Sequence, residues 1–261
     1  MVKLCWNIKM NLLTLADGFG DSKAYPVWYP DYIKWPEIIK LMTKKVNLIN
    51  MARYGAGNEY MINCLKANKL DKNVVLVQWA MPNRLDLVLS HNDTYNWDSA
   101  ILQDPIYSNN VLEVDGTKYW LSSASTNTNV KEYHNKYISI KQHELRSLIY
   151  IDYARMLLEN DHIDYKFFLN TEGTYLRDLP SKDNWVWHKE FMGMSEFRYS
   201  SRYAELELGI IQPIPLVQFD FIQQYIMPVL DLPWRSNQEI EAVGNMLYRK
   251  YQQFAKNKPL H

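Results

Sequence analysis

The sequence has few cysteines, no excess of either charge and no long apolar segment. Two cysteines, Cys5 and Cys64, do not make a disulfide framework, so both are expected to be buried thiols. The 29 basic and 29 acidic side chains balance, which argues against a nucleic-acid partner. Lysine and asparagine interrupt the apolar residues of segment 1–16. Neither a signal peptide nor a membrane helix is therefore predicted, and a soluble chain is expected.

Common metal and nucleotide motifs are also missing. Segments 91–98 and 161–164 contain histidine and aspartate, but they lack the helical histidine spacing or cysteine pairs of metal sites. The stretch "GAGNEY", residues 55–60, lacks the third glycine of a dinucleotide loop and the Lys-Ser/Thr of a P-loop. No metal and no cofactor is predicted.

Aromatic residues, in contrast, are abundant. The chain has 19 Tyr, 9 Trp and 8 Phe, which together make up 14% of its residues. Aromatic faces bind sugars, bases or protein partners when exposed and fill the core when buried. Composition leaves both roles open.

Three near-continuous apolar runs predict strands that are buried on both faces, at 11–16, 46–52 and 73–80. Helical segments lie between them. "KWPEIIKLMTKK" has Pro36 in its first turn, and "GNEYMINCLKANK" has Met61, Cys64 and Leu65 on one face. This alternation predicts a right-handed parallel sheet.

Two insertions and further elements follow. Residues 84–130 are polar and aromatic-rich, with a hairpin predicted around Asp115 and Gly116, and 171–215 form a second irregular insertion. A long helix is predicted within 130–159 and a fourth strand at "IDYKFFLN". The helix prediction rests on the spacing of Leu145, Leu148, Ile149 and Met156.

Two helices end the chain, a short one near 217–227 and a longer one in which Ile240, Val243, Leu247 and Tyr251 repeat every three to four residues. The predicted architecture over 1–261 is a single three-layer α/β/α domain. Its central parallel sheet has about five strands, and the insertions lie over the carboxyl ends of the strands, where ligands bind in such sheets.

Short motifs follow the first three predicted strands in order. Gly20, Asp21 and Ser22 follow the first strand, and Trp35 with Pro36 opens the next helix. The second strand runs into "NMARYGAGNEYM", and the third ends in "VQWAMPNR". This ordered set resembles the SGNH (GDSL-type) hydrolase family, in particular its divergent members from bacteriophage genomes. The resemblance covers residues 10–85 well and the last 40 residues weakly.

The resemblance implies a flavodoxin-like fold and a serine-type ester hydrolase, a deacetylase or esterase acting on acylated carbohydrate. Ser22 would be the nucleophile, and Gly55 and Asn83 would donate to the oxyanion. Other binding residues expected at the same edge are Gly57, Asn58, Arg84 and Trp234. One alternative stays open, because "ADG" at 16–18 directly follows the strand and would put Gly18 at the nucleophile position.

The sequence differs from the family at the base of the expected triad. Its D-x-x-H motif before the last helix matches "DLPWRSNQEIEAVGNML", where Asp231 is retained but Trp234 replaces the histidine. Tryptophan cannot accept a proton, so His188, with Asp183 nearby, is the best candidate base, and His91 and His162 are the other candidates.

Two functions follow from this departure. The chain is either an esterase or a catalytically impaired binding or virion-assembly protein of a bacteriophage, with phage structural proteins as partners. Its expected location is the host cytoplasm or the virion.

Overall fold

The computed structural model describes residues 10–16, 33–53, 56–68, 74–82, 86–89, 111–114, 117–121, 136, 139–169, 184–185, 197, 199–203 and 214–257. Seven strands lie in these ranges: β1 Met10–Leu15, β2 Val46–Asn50, β3 Val74–Trp79, β4 Asp86–Leu89, β5 Val111–Val114, β6 Thr117–Leu121 and β7 Asp164–Leu169. The helices are α1 Trp35–Met42, α2 Asn58–Asn68, α3 Ile140–Asn160, α4 Pro215–Phe221, continued by a π-helical turn over Ile222–Ile226, and α5 Asn237–Asn257.

Four of the strands form a parallel sheet in the order β2-β1-β3-β7. The four predicted strands are thereby confirmed, and the protein has an α/β fold. Every residue of β3 is buried, as its near-continuous apolar run indicated. Asn184 and Trp185 extend the pairing briefly, because Trp185 forms a parallel bridge with Phe167 of β7.

Side chains that alternate along each strand enter two separate cores, one on each face of the sheet. Leu12, Val74 and Leu76 join one core with α1, α4 and α5. Leu13, Val75 and Val77 join the other core with α2 and α3. The predicted apolar face of α2 is confirmed, since Met61, Cys64 and Leu65 are buried there and Cys64 is a free thiol. Cys5 lies outside the described residues.

The first insertion contains a small antiparallel sheet in the order β4-β6-β5. β5 and β6 pair with Val114 opposite Thr117, which confirms the predicted hairpin strands. The turn residues themselves, Asp115 and Gly116, lie outside the described residues.

The long helix α3 is confirmed over Ile140–Asn160, but the residues whose spacing predicted it do not form its buried face. Leu145, Ile149 and Met156 are exposed. The buried face consists of His143, Ser147, Ile151, Ala154 and Leu158. Small and polar side chains on this face let the helix pack closely against α2 and the sheet.

α4 and α5 confirm the two helices predicted at the end of the chain, and Ile240, Leu247 and Tyr251 are buried as their spacing indicated. A capping box begins α5: Ser236 N donates to Glu239 Oε2 at 2.9 Å, and Glu239 N donates to Ser236 Oγ at 3.4 Å. Gly244 lets α5 approach α4, because a Cβ atom there would lie 2.9 Å from the Phe219 ring.

Candidate functional site

The carboxyl ends of β2, β1 and β3 lie side by side. Thr14 is in register with Asn50 of β2, and Leu15 is in register with Val77 of β3. Beyond the strand ends, Met51 N donates to Thr14 O at 2.9 Å and Arg53 N donates to Ala16 O at 3.1 Å. The connections that follow these three strands therefore leave the sheet from one edge, where parallel α/β sheets bind ligands.

A partly buried polar group lies at this edge, on the α1 face of the sheet. Asn50 Oδ1 accepts hydrogen bonds from Thr14 Oγ1 and from Ala52 N, both at 3.1 Å. Asn50 Nδ2 donates to Glu37 Oε1 at 3.1 Å. Glu37 lies in the first turn of α1, where the helix dipole favours a negative charge. The edge thus carries a fixed carboxylate next to the backbone that leaves β2.

A second set of side-chain hydrogen bonds holds the start of α1. Trp35 N donates to Gln218 Oε1 at 2.7 Å, and the indole Nε1 donates to Gln78 Oε1 at 2.8 Å. Lys34 makes no side-chain cap to this helix, so Gln218 of α4 satisfies an orphan N–H of the first turn. The Trp35 ring also meets Phe168 edge-on at 5.1 Å.

Asn58, one of the residues expected to bind ligand, joins three elements. Its Oδ1 accepts from Ala80 N at 3.0 Å, just beyond β3, and its Nδ2 donates to Ser147 Oγ of α3 at 3.0 Å. The side chain is buried. Gly57 precedes it, and the Gly57 carbonyl accepts from Met61 N in the first turn of α2. Both residues lie at the carboxyl edge, and the Asn58 amide is used to fix that edge.

A charged network flanks the start of α2. Glu59 Oε2 accepts from Tyr150 OH at 2.8 Å and from Arg146 at 3.1 Å. Burial raises the pKa of the Tyr150 hydroxyl above its ordinary value, while its hydrogen bond with Arg146 opposes the shift. The phenol therefore stays protonated and donates to the carboxylate at neutral pH.

Asp231 and Trp234 lie at the opposite end of the sheet. Lys44 N donates to Pro233 O at 2.7 Å, and Arg235 N donates to Met42 O at 2.8 Å. Lys44 lies two residues before Val46, the first residue of β2. The segment from Asp231 to Arg235 is therefore at the amino ends of the strands. The length of β2 separates it from the carboxyl edge, roughly 15 Å at about 3.3 Å per residue.

The expectation that Asp231 and Trp234 lie next to Gly57 and Asn58 is therefore corrected. The segment before α5 has the spacing of the family motif, but it caps the C-terminal end of α1. The reason is topological, because α4 and its π-helical turn cross the sheet face first and α5 then begins at the amino edge.

Several of the predicted site residues lie outside the described residues. These are Gly18, Asp21, Ser22, Gly55, Asn83, Arg84, Asp183 and His188. Their roles stay predictions. Within the described ranges, no group of three or more His, Cys, Asp or Glu side chains is arranged to hold a metal ion.

Comparison with known proteins matches no protein-family model and no curated protein. Among the helices that the structure describes, none is both long and apolar enough to cross a membrane.

Sequence reasoning missed Thr14, Glu37 and Asn50 as a site. One signal was present, since Asn50 is the polar last residue of β2 and Thr14 interrupts an apolar run in β1. The hydrogen bond between Gln218 and Trp35 joins residues 183 positions apart, and no local pattern predicts such a contact.

Proposed function

We propose that the protein is a serine-type ester hydrolase acting on a small acylated, carbohydrate-like substrate, with Ser22 as nucleophile and the site at the carboxyl edge of the parallel sheet. The observation that carries this proposal is the position of β1 between β2 and β3. The three connections with the family-like motifs, 17–34, 51–57 and 80–85, start from neighbouring strand ends. Such an arrangement suits a nucleophile and oxyanion donors drawn from separate segments.

Two features of the described residues support this location. The Thr14–Asn50–Glu37 group fixes the backbone that leaves β2, and a rigid edge is what preorganised oxyanion donors require. Asn58 fixes the backbone beyond β3 in the same way. The two motif-bearing connections that come after the nucleophile segment, those following β2 and β3, thus have rigid starting points.

His188 is proposed as the base. Phe167 N donates to Asn184 O at 2.8 Å, and Trp185 pairs with Phe167 in the parallel sense. Phe167 lies two residues before Leu169, the carboxyl end of β7, so Trp185 lies near that end. Trp185 lies three strand spacings from β1, roughly 14 Å. The proposal therefore requires the segments around Ser22 and His188 to approach each other above the sheet.

We infer further that the elements belong to a three-layer α/β/α domain of the flavodoxin-like type. Two observations support this inference: the strand order places the first strand between the second and third, as in that fold, and separate cores lie on the two faces of the sheet.

The alternative, a binding or virion-assembly protein without activity, depends on Trp234 occupying the position of the catalytic histidine. Since Trp234 lies at the amino end of the sheet, it gives no support to that alternative. Loss of activity by another route would appear as absence of turnover in the assay below.

A panel of acetylated sugars and chromogenic acetates tests the proposal. Ser22→Ala is expected to lower turnover by several orders of magnitude, and His188→Gln by a comparable factor. Ser139→Ala is the matched control, because Ser139 begins α3 without a side-chain cap hydrogen bond. Turnover that is unchanged in Ser22→Ala would rule out Ser22 as nucleophile. Absence of turnover on every substrate would favour the binding protein.

A further inference from the structure

An apolar stripe runs along the outer side of α3. Leu145, Ile149, Tyr153 and Met156 are 52%, 66%, 40% and 55% exposed. Their spacing of three to four residues puts them on one side of the helix. Single exposed apolar residues are common on protein surfaces, but a contiguous row of four large ones marks an interaction surface.

The opposite side of α3 already makes the contacts that hold the helix to the domain. Ile151, Ala154 and Leu158 are buried in the core shared with α2 and the sheet. Ser147 accepts a hydrogen bond from Asn58. The outer stripe is therefore additional apolar surface, which the packing of α3 against the sheet does not require.

Charged residues lie beside the stripe. Their order along α3 brings opposite charges together when a second copy of the helix runs in the opposite direction. Lys141 and Glu144 lie in the first turns of α3, and Arg155 and Glu159 lie in the last turns. They form pairs within the helix, Lys141 with Glu144 at 3.4 Å and Arg155 with Glu159 at 2.7 Å. Asp152, between them, is held by Arg155 at 2.8 Å.

A second copy of α3, turned antiparallel about a two-fold axis beside residue 150, would match this pattern. Residue 141 then lies opposite residue 159 of the copy, so a lysine faces a glutamate. Residue 144 lies opposite residue 156 of the copy, which puts Glu144 one position from Arg155 of the copy. Along the stripe, Leu145 lies opposite residue 155 of the copy, one position from Met156 of the copy. A two-fold interface repeats each of these contacts.

We propose that the outer side of α3 is the interface of a symmetric homodimer in which two α3 helices pack antiparallel. Apolar burial supplies the affinity, and the reversed charge order fixes the antiparallel orientation. The proposal is independent of the esterase, because Ser147, which accepts from Asn58 at the carboxyl edge, lies on the inner side of α3.

Sedimentation velocity of the full chain over a range of concentrations tests the interface. The wild type is expected to sediment with twice the 31.0 kDa mass of one chain. Ile149→Glu is expected to raise the dimer dissociation constant at least about tenfold, because two buried isoleucines are replaced by charges. Val229→Glu is the matched control, since Val229 is an exposed apolar residue away from α3.

Far-UV circular dichroism establishes that Ile149→Glu is folded, which is expected for an exposed position. A wild type that is monomeric at every concentration would overturn the proposal. So would a folded Ile149→Glu variant with the wild-type dimer constant, or a Val229→Glu variant that dissociates as readily as Ile149→Glu.

The antiparallel orientation has its own test. Lys141→Glu alone puts glutamates at both facing positions of the dimer, and Glu159→Lys alone puts lysines there, so each variant is expected to dimerise more weakly. A mixture of the two variants pairs unlike charges at both positions and is expected to form heterodimers with an affinity near that of the wild type. Failure of the mixture to recover dimer would overturn the antiparallel register.

Discussion

Trp234 forms an antiparallel backbone bridge with Thr43 at the C-terminal end of α1. The Trp234 indole Nε1 donates to Leu230 O at 3.0 Å, within its own segment. These contacts give Trp234 a role in closing the amino end of the sheet. A residue that looks like a replaced catalytic histidine is thus part of the scaffold.

Trp234→His is therefore expected to leave turnover unchanged or lowered, because an imidazole at the amino end lies roughly 15 Å from the carboxyl edge. The variant removes a partly buried indole and is expected to lower the unfolding midpoint. Initial rates on a chromogenic acetate, measured beside unfolding curves, check both outcomes. A rise in turnover on introducing the histidine would contradict the placement of the site.

Trp35 and Trp79 form a matched pair for measuring one buried hydrogen bond. Both indoles are buried and meet a phenylalanine edge-on, but Trp35 Nε1 donates to Gln78 whereas Trp79 Nε1 has no acceptor among the residues that the structure describes. Trp35→Phe is expected to lower the free energy of unfolding by about 1–3 kcal/mol more than Trp79→Phe, because it leaves Gln78 Oε1 buried without its donor. Urea unfolding measures the difference, and equal losses would contradict it.

Asn58→Ala is expected to lower the free energy of unfolding by about 2–4 kcal/mol, because the buried Ala80 N–H and Ser147 Oγ both lose their partner. Asn63→Ala is the matched control. Asn63 Nδ2 donates to Glu59 O of its own helix, so its loss is expected to stay within about 1 kcal/mol. Similar urea midpoints for the two variants would show that Asn58 does not anchor the edge.

Glu239 makes the start of α5 sensitive to acid. The hydrogen bond from Lys44, followed by those from Ser236, lowers the pKa of Glu239 from its ordinary 4.5 to about 2. A lowered pKa contributes stability that is complete above pH 4.5 and is lost as the pH falls towards 2.

Glu239→Gln is therefore expected to be less stable than the wild type at pH 7 and to lose less stability between pH 4.5 and 2. Glu241→Gln, an exposed glutamate of the same helix, is expected to keep the wild-type pH profile. Thermal unfolding midpoints across this range measure both, and parallel profiles for wild type and Glu239→Gln would contradict the assignment.

The sequence alone predicted the strands and helices that depend on local residue patterns. Near-continuous apolar runs predicted the four parallel strands, and Pro36 marked the first turn of α1. The family-like motif gave a wrong location for Asp231 and Trp234. The direction in which α4 and α5 cross the sheet depends on packing between distant segments, which a short motif does not report. The spacing of Leu145, Ile149 and Met156 predicted a helix correctly and left open which side faces the core.

Reaction with a fluorophosphonate, followed by mass spectrometry of the digested chain, tests whether Ser22 is an activated nucleophile at the carboxyl edge. An activated serine attacks the phosphorus and displaces fluoride, leaving a stable phosphonate ester. We expect one modified peptide, with the label on Ser22, and no label in Ser22→Ala. A chain that stays unmodified, or a label on a different serine, would contradict it.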